Sequence, residues 1–279
     1  MWSVKNNYSA ITWGLLAVLI WSAIPAFVKI GSTAETLPFL LVCRFLIASL
    51  LFAPFYKAIF NKVSQVPLKL WLSLTAILGA NYYFQGLAMI DLPVSWYLII
   101  FCLNPIFSLL FLGINIGQKT GLAIGLSVLG TLAFVRIDEV SQMKSLWPFL
   151  YITLGMFSWV FYTVVIKKFQ TAYTNIETTA LTQIISLVSC LVVWIILGSK
   201  VSSLNTSEIW AIVILGLSTP LAYFGFNVCL RKMPRFSVLS QYLEPVFGVI
   251  IGLMFFGETL SIIQFIGALL IIIATVQMG

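Results

Sequence analysis

The sequence predicts an all-α integral membrane protein with ten transmembrane helices, arranged as two inverted five-helix repeats. Three observations lead there: the composition, the length of the apolar blocks, and an internal repeat whose charges reverse. Of 279 residues, 61% are hydrophobic and 8% charged, where a soluble domain carries about 25% charged residues. A fold of about 300 residues buries only roughly 75% of the surface of its unfolded chain, so in water too much apolar surface would stay exposed. The sequence has no alternating strand pattern of the kind that marks an outer-membrane barrel.

The apolar residues come in blocks of about 20, the length at which a helix crosses a ~30 Å hydrocarbon core. Breaks at charge, Pro, Gly and Asn clusters predict helices over 9–29, 37–56, 68–89, 94–116, 118–135, 146–166, 177–197, 207–229, 236–256 and 259–278. The opening MWSVKNNYSAITWG has one lysine and no small-residue cleavage site, so it reads as the entry to the first span, not a removable signal. With the N-terminus inside, ten cationic residues fall in inside segments: Lys5, Lys57, Lys62, Lys69, Lys119, Lys167, Lys168, Arg231, Lys232 and Arg235. Four fall outside, namely Lys29, Arg136, Lys144 and Lys200, and Arg44 lies within a span. Lys and Arg collect on the cytoplasmic side, so both termini are expected there. The net charge of +7 is then a topology signal and not a nucleic-acid patch.

The repeat unit is five spans, 1–140 and then 141–279. YFQGLAMIDLP from Tyr83 aligns with YFGFNVCLRKMP from Tyr223, and LNPIFSLLF (103–111) with LEPVFGVII (243–251), both at an offset of 140 residues. Trp21 and Lys29 are eight apart, as are Trp159 and Lys167. Five is odd, so the second copy enters the membrane from the opposite side. Asp91, expected outside, accordingly aligns with Arg231, expected inside. Inverted repeats of this kind are the build of many secondary transporters.

RFLIASLLF (44–52) and LEPVFGVIIGLMFFGETLSIIQFIGALLI (243–271) resemble the EamA-type branch of the drug/metabolite transporter superfamily. The resemblance extends over essentially the whole chain. It implies a carrier of small metabolites whose spans one, three, four, six, eight and nine surround a central cavity. One departure stands in the first half: Pro105 to Gln118 is 13 residues, whereas Pro245 to Gln264 is 19. Span four is therefore expected to be shorter or more tilted than span nine.

Glu244 is the one acid placed deep inside an apolar block, and an intramembrane carboxylate must face the bundle interior and pair, hydrogen-bond or take up a proton. It is the candidate ion-coupling residue, or else it locks a neighbouring helix end. Its repeat counterpart is Asn104. Pro245, Pro105 and Pro25 are candidate hinges, with Pro245 expected to kink span nine and free the carbonyl of Gln241. Arg44 is either a partner for an acid or an anionic substrate group, or a side chain snorkelling to the headgroups. Trp21, Asn81, Tyr83, Gln85, Trp159, Tyr162, Tyr223, Asn227 and Gln241 complete the candidate substrate-binding set, since amphipathic rings and amides suit a small solute that is part polar and part apolar. Trp2, Trp71, Trp147 and Trp210, near span ends, are expected in the interfacial belts. Small residues in spans five and ten (Gly121, Gly125, Gly130, Gly267) allow close helix contact, within one molecule or in a homodimer.

The chain has no histidine, no nucleophile motif, no paired carboxylates and no GxxxxGK[ST] motif, which argues against a membrane enzyme and against ATP-driven pumping by this chain. No cofactor or metal is expected; the partners expected are a small-molecule substrate and the lipid bilayer. The resemblance points to a bacterial inner membrane and to an amino acid or related compound, with efflux the expected direction. The alternatives are uptake or exchange of a nucleotide-like metabolite such as S-adenosylmethionine, and a non-transporting membrane scaffold.

Overall fold

A computed structural model describes residues 2–92, 97, 100–133, 145–199, 204–255 and 261–276. Among these residues every regular element is helical: α1 (Trp2–Gly31), α2 (Leu37–Leu50), α3 (Tyr56–Phe60), α4 (Leu68–Asp91), α5 (Asn104–Phe111), α6 (Gln118–Leu132), α7 (Trp147–Phe169), α8 (Asn175–Leu197), α9 (Thr206–Lys232), α10 (Pro234–Leu239), α11 (Glu244–Phe255) and α12 (Ile262–Val276). Tyr8–Gly31, Trp147–Phe169, Asn175–Leu197 and Thr206–Lys232 are each long and apolar enough to cross a bilayer, and the bent pair Leu37–Leu50 and Ala53–Phe60 makes a fifth candidate. Their outer faces are covered by residues such as Ile195, Ile196, Leu217 and Leu221, all exposed. Apolar surface on that scale belongs against lipid, and the protein is a multi-pass membrane protein.

Local chemistry sets the helix starts. α8 and α9 each open on a capping box, Thr174 with Glu177 and Asn205 with Glu208. In each, side chain and backbone exchange bonds that satisfy two otherwise orphaned N–H groups. Glu177 is thus a first-turn acid, as its sequence position suggests.

Several boundaries differ from the sequence expectation, each for a backbone reason. The second expected span, 37–56, bends by 63° after Leu50, and Pro54 opens the next turn, where its missing N–H is not needed. The fourth, expected to reach residue 116, ends at Phe111. Gly113 adopts φ 69° there, Ile114 N–H bonds to the Leu109 carbonyl at 2.9 Å and Gly113 N–H to that of Leu110 at 3.0 Å. That is a Schellman stop, which satisfies the last carbonyls and turns the chain away. α5 has 8 residues and α11 has 12, so the first-half element is the shorter, as the shorter Pro105–Gln118 spacing implies.

The ninth expected span is not one kinked helix. α10 ends at Leu239, a 3₁₀ turn covers Ser240–Leu243, and α11 begins at Glu244. Pro245 is the second residue of α11, a position that has no use for an N–H. It leaves no carbonyl free: the Gln241 carbonyl accepts from Glu244 N–H within the 3₁₀ turn. The start of the fourth expected span (94–96, 98 and 99), the loop with Arg136 and Lys144, Lys200, and residues 256–260 lie outside the described residues, as does the Trp2 side chain.

In the packed bundle α1 runs along α9, and α4 along α7. α2 packs on α8, and α6 on α12. Cys190 and Cys229 are buried in this interior as small packing residues. Trp147 and Trp210 are exposed as a belt requires, but Trp71 turns inward, edge-on to Phe169 at 5.0 Å. The α6–α12 seam is built on glycine. A Cβ on Gly130 would lie 2.6 Å from the Gly267 carbonyl oxygen and 2.7 Å from Ile271 Cγ1, whereas one on Gly125 would meet nothing.

Gly130→Ala is therefore expected to cost about 1–3 kcal/mol through overpacking, while Gly125→Ala in the same helix stays within about 1 kcal/mol of the parent. Unfolding midpoints of the two variants in detergent provide the check, and equal shifts would contradict this account of the seam.

Candidate functional site

Six helices contribute to one internal cavity of ≈ 220 Å³: α1 through Trp21, Ser22, Pro25 and Lys29, α2 through Arg44, α4 through Asn81, Tyr82, Gln85 and Met89, α7 through Trp159, α9 through Tyr223 and α11 through Glu244 and Pro245. Along α1 it extends from Trp21 to the exposed Lys29, roughly 12 Å of helix rise. Pro25, inside the unbroken α1, removes the N–H that would otherwise bond the Trp21 carbonyl.

Aromatic rings close the deep end. Trp21 meets Trp159 edge-on at 4.9 Å and Tyr223 at 5.9 Å. Tyr82 Oη donates to Tyr223 Oη at 2.6 Å and accepts from Ser186 Oγ at 3.2 Å. A polar relay runs down one wall: Tyr97 Oη donates to Gln85 Oε1 at 2.9 Å, and Gln85 Nε2 to Asn81 Oδ1 at 2.5 Å.

Two ionisable side chains of opposite type, Arg44 and Glu244, face this space. Arg44 is 4% exposed, far too deep to snorkel. Its Nε donates to Thr219 Oγ1 at 2.8 Å, and its guanidinium carbon lies 5.1 Å from the Phe45 ring centroid and 5.9 Å from that of Tyr82. The Glu244 carboxyl group has no hydrogen bond or ion pair among the described residues. The ion pair among those residues is Lys62–Glu177, which involves neither.

Of the residues singled out from sequence, Trp21, Pro25, Arg44, Asn81, Gln85, Trp159, Tyr223, Glu244 and Pro245 come together around the cavity. The others do not line it. Tyr83 points away, beside Phe84. Tyr82 takes its place, since 82, 85, 86 and 89 form one helical face on which 83 does not lie. Asn104 and Gln241 form a lock next to the cavity: Gln241 Oε1 accepts from Asn104 Nδ2 at 2.5 Å and from Trp159 Nε1 at 2.9 Å. Pro105, the second residue of α5, sits beside that lock. Tyr162 stacks under Trp159 and shares a 3.3 Å hydrogen bond with Thr182. Asn227 is fully buried one turn beyond Tyr223, its Nδ2 on Thr179 Oγ1 at 3.0 Å. Sequence reasoning passes over Tyr97, Ser22 and Lys29 and, of the span-three candidates Asn81, Tyr82, Tyr83 and Gln85, leaves Tyr82 out of the final set; helical spacing from Gln85 and Pro25 points to Tyr82 and Ser22.

The end of the bundle opposite Lys29 is tied shut. Lys62 Nζ reaches both oxygens of Glu177 at 2.7 and 2.8 Å. Lys167 Nζ donates to the carbonyls of Leu230 and Arg231 at 2.8 and 3.2 Å, at the end of α9. Arg231 in turn donates to Asn175 Oδ1 at 2.6 Å and to the Tyr173 carbonyl.

A multi-pass helical bundle with one part-polar internal cavity has the build of a membrane carrier. Residues 146–278 match the EamA-like transporter family, part of the drug/metabolite transporter superfamily, whose members are membrane transporters of small molecules. Chains of solved structures, 28 in number, also match. One crystal structure of another protein aligns with a TM-score of 0.76 over 97% of this chain and 96% of its own, at 20% identity. That likeness is one of fold, and it includes nearly all of the first 145 residues, which the family match leaves out. No curated protein matches the chain significantly.

Gln241→Leu is expected to destabilise the protein by about 1–3 kcal/mol, because it leaves buried donors on Asn104 and Trp159 unpaired, and to shift the tryptophan emission. Thermal unfolding and fluorescence test this together; a variant as stable as the parent with unchanged emission would show that the lock is not formed.

Proposed function

We propose that the protein is a secondary transporter of a small zwitterionic metabolite of amino-acid type, working by alternating access between two inverted five-helix halves, 1–140 and 141–279. The observation that carries the substrate reading is the pair of opposite charges in one aromatic-walled cavity. Arg44 and Glu244 both line it, and neither has an ion-pair partner among the described residues. A zwitterion satisfies both at once, its carboxylate on the guanidinium and its ammonium on Glu244. The rings of Trp21, Trp159 and Tyr223 offer an apolar side chain its contact surface. Ionisable residues at membrane depth ordinarily mark a substrate or ion path.

Helix pairing supports the two-half reading. Exchanging each span with the one five later turns the α1–α9 pair into α7–α4, α1–α11 into α7–α5 and α2–α9 into α8–α4, while α2–α8 and α6–α12 map onto themselves. All of these pairs pack. In carriers of inverted build the substrate site lies between the repeats, near the midplane. The charge bias of the loops favours both termini in the cytoplasm, and the resemblance to the EamA-like family favours a bacterial inner membrane. The Lys29 mouth then faces outward and the Lys62–Glu177 end faces the cytoplasm.

The same symmetry suggests how the opposite state closes. Lys167 holds the carbonyls of Leu230 and Arg231. Its repeat counterpart is Lys29, and those of the two carbonyls, 140 residues earlier, are Ile90 and Asp91 at the end of α4. In the inward-open state Lys29 seals the outer mouth on the end of α4, as Lys167 now seals the inner one on α9.

Reconstituted in liposomes, the protein is expected to give saturable counterflow of neutral amino acids. Arg44→Met lowers apparent affinity by about tenfold or more, since a hydrogen bond to a charged group contributes roughly 1.5–3 kcal/mol. Glu244→Gln weakens ligands that carry an ammonium, and, if Glu244 takes up a proton in the cycle, transport by the variant no longer varies with pH as that of the parent does. Amino-acid flux no greater than in empty liposomes would overturn the reading and favour a scaffold.

A further inference from the structure

A guanidinium with free rotors recognises a carboxylate poorly; a fixed one presents two parallel N–H donors to both oxygens. Arg44 is fixed from three sides. Thr219, fully buried on α9, gives its own hydroxyl proton to the Leu215 carbonyl at 2.5 Å, so its lone pairs are what Arg44 Nε meets at 2.8 Å. The Phe45 and Tyr82 rings lie beside the guanidinium, and Tyr82 is itself held by Tyr223 and Ser186. The backbone approach is set one turn earlier on α9: a Cβ on Gly216 would lie 2.8 Å from Ile47 Cβ and 3.2 Å from the Arg44 carbonyl oxygen. With Nε occupied, the two terminal NH₂ groups, which have no protein acceptor among the described residues, remain for the cavity.

From this we infer that Thr219 is a positioning residue for substrate selection: by holding Nε it turns the guanidinium fork toward the cavity and makes the site selective for ligands with a carboxylate. The inference rests on the zwitterion reading and deepens it. Thr219 has no part in contacting the substrate; it acts through Arg44. Valine at 219 keeps the shape and removes the acceptor, whereas serine keeps the acceptor and removes a methyl group.

The test is ligand binding by the purified full-length protein, wild type, Thr219→Val and Thr219→Ser. The probes are phenylalanine, leucine and methionine against phenethylamine, isoamylamine and 3-methylthiopropylamine, the same molecules without the carboxylate. The wild type is expected to prefer the acids. Thr219→Val loses about tenfold of that preference, as expected when a charged hydrogen bond worth about 1.4 kcal/mol or more is lost, with affinity for the amines unchanged, and Thr219→Ser restores it. A valine variant with the full preference of the parent, or one weakened equally toward acids and amines, would overturn the positioning role. Equal wild-type affinity for acids and amines would overturn the zwitterion reading beneath it. Unfolding midpoints without ligand separate misfolding from altered recognition, because a misfolded valine variant loses the amines too.

Discussion

An arginine enclosed in a membrane bundle, with no carboxylate paired to it among the described residues, is the constraint around which this structure is arranged. Removing a guanidinium from water is expensive unless its donors and its charge are met. The protein meets part of that demand with one threonine acceptor and two ring faces, and leaves the rest toward a cavity that also holds Glu244. A salt bridge between the two residues would have been the simpler way to stabilise both. Keeping them apart leaves the cavity with an unpaired cationic and an unpaired acidic side chain, the feature on which the proposed zwitterionic substrate rests.

Much of the surrounding structure serves that arrangement. Gly216 lets α2 approach α9 closely enough for Arg44 to reach Thr219. The break between α10 and α11 puts Glu244 on the first turn of a helix, at the cavity wall, instead of midway along a continuous span. Gln241, in the 3₁₀ turn of that break, ties Trp159 from the second half to Asn104 from the first. Ring geometry at the deep end and helix pairing around it are thereby linked through a single amide. At the opposite end of the bundle, lysines satisfied by Glu177 and by the last carbonyls of α9 close the structure without burying a bare charge.

Membrane residence, helical class and most helix positions could be read from the sequence because they depend on local quantities: apolar block length, capping residues and charge bias in the loops. So could the deep placement of Glu244, since a charge inside an apolar block has few environments open to it, whereas for Arg44 the sequence left snorkelling open and only the packed structure shows it buried. The division of the candidate residues between cavity and packing was not local. Tyr83 stands in the candidate set read from the sequence, whereas the helix face shared with Gln85 and Met89 brings Tyr82 to the cavity. Asn104, Gln241 and Asn227 have the right chemistry for ligand contact but spend it on one another or on neighbouring helices.

Proline shows the same division. Its presence at 105 and 245 announces a discontinuity, but a missing N–H is equally consistent with a mid-helix kink and with a fresh helix start. Only the packing of the preceding residues into a turn, with the Gln241 carbonyl already satisfied, decides for the second. What the sequence alone determined is the material of the protein: apolar helices, where they are interrupted, and which charges must be hidden. The tertiary structure decided which hidden groups face each other and which face a cavity. Those relations join residues more than a hundred positions apart, and their energies depend on distances that no local pattern in the chain encodes.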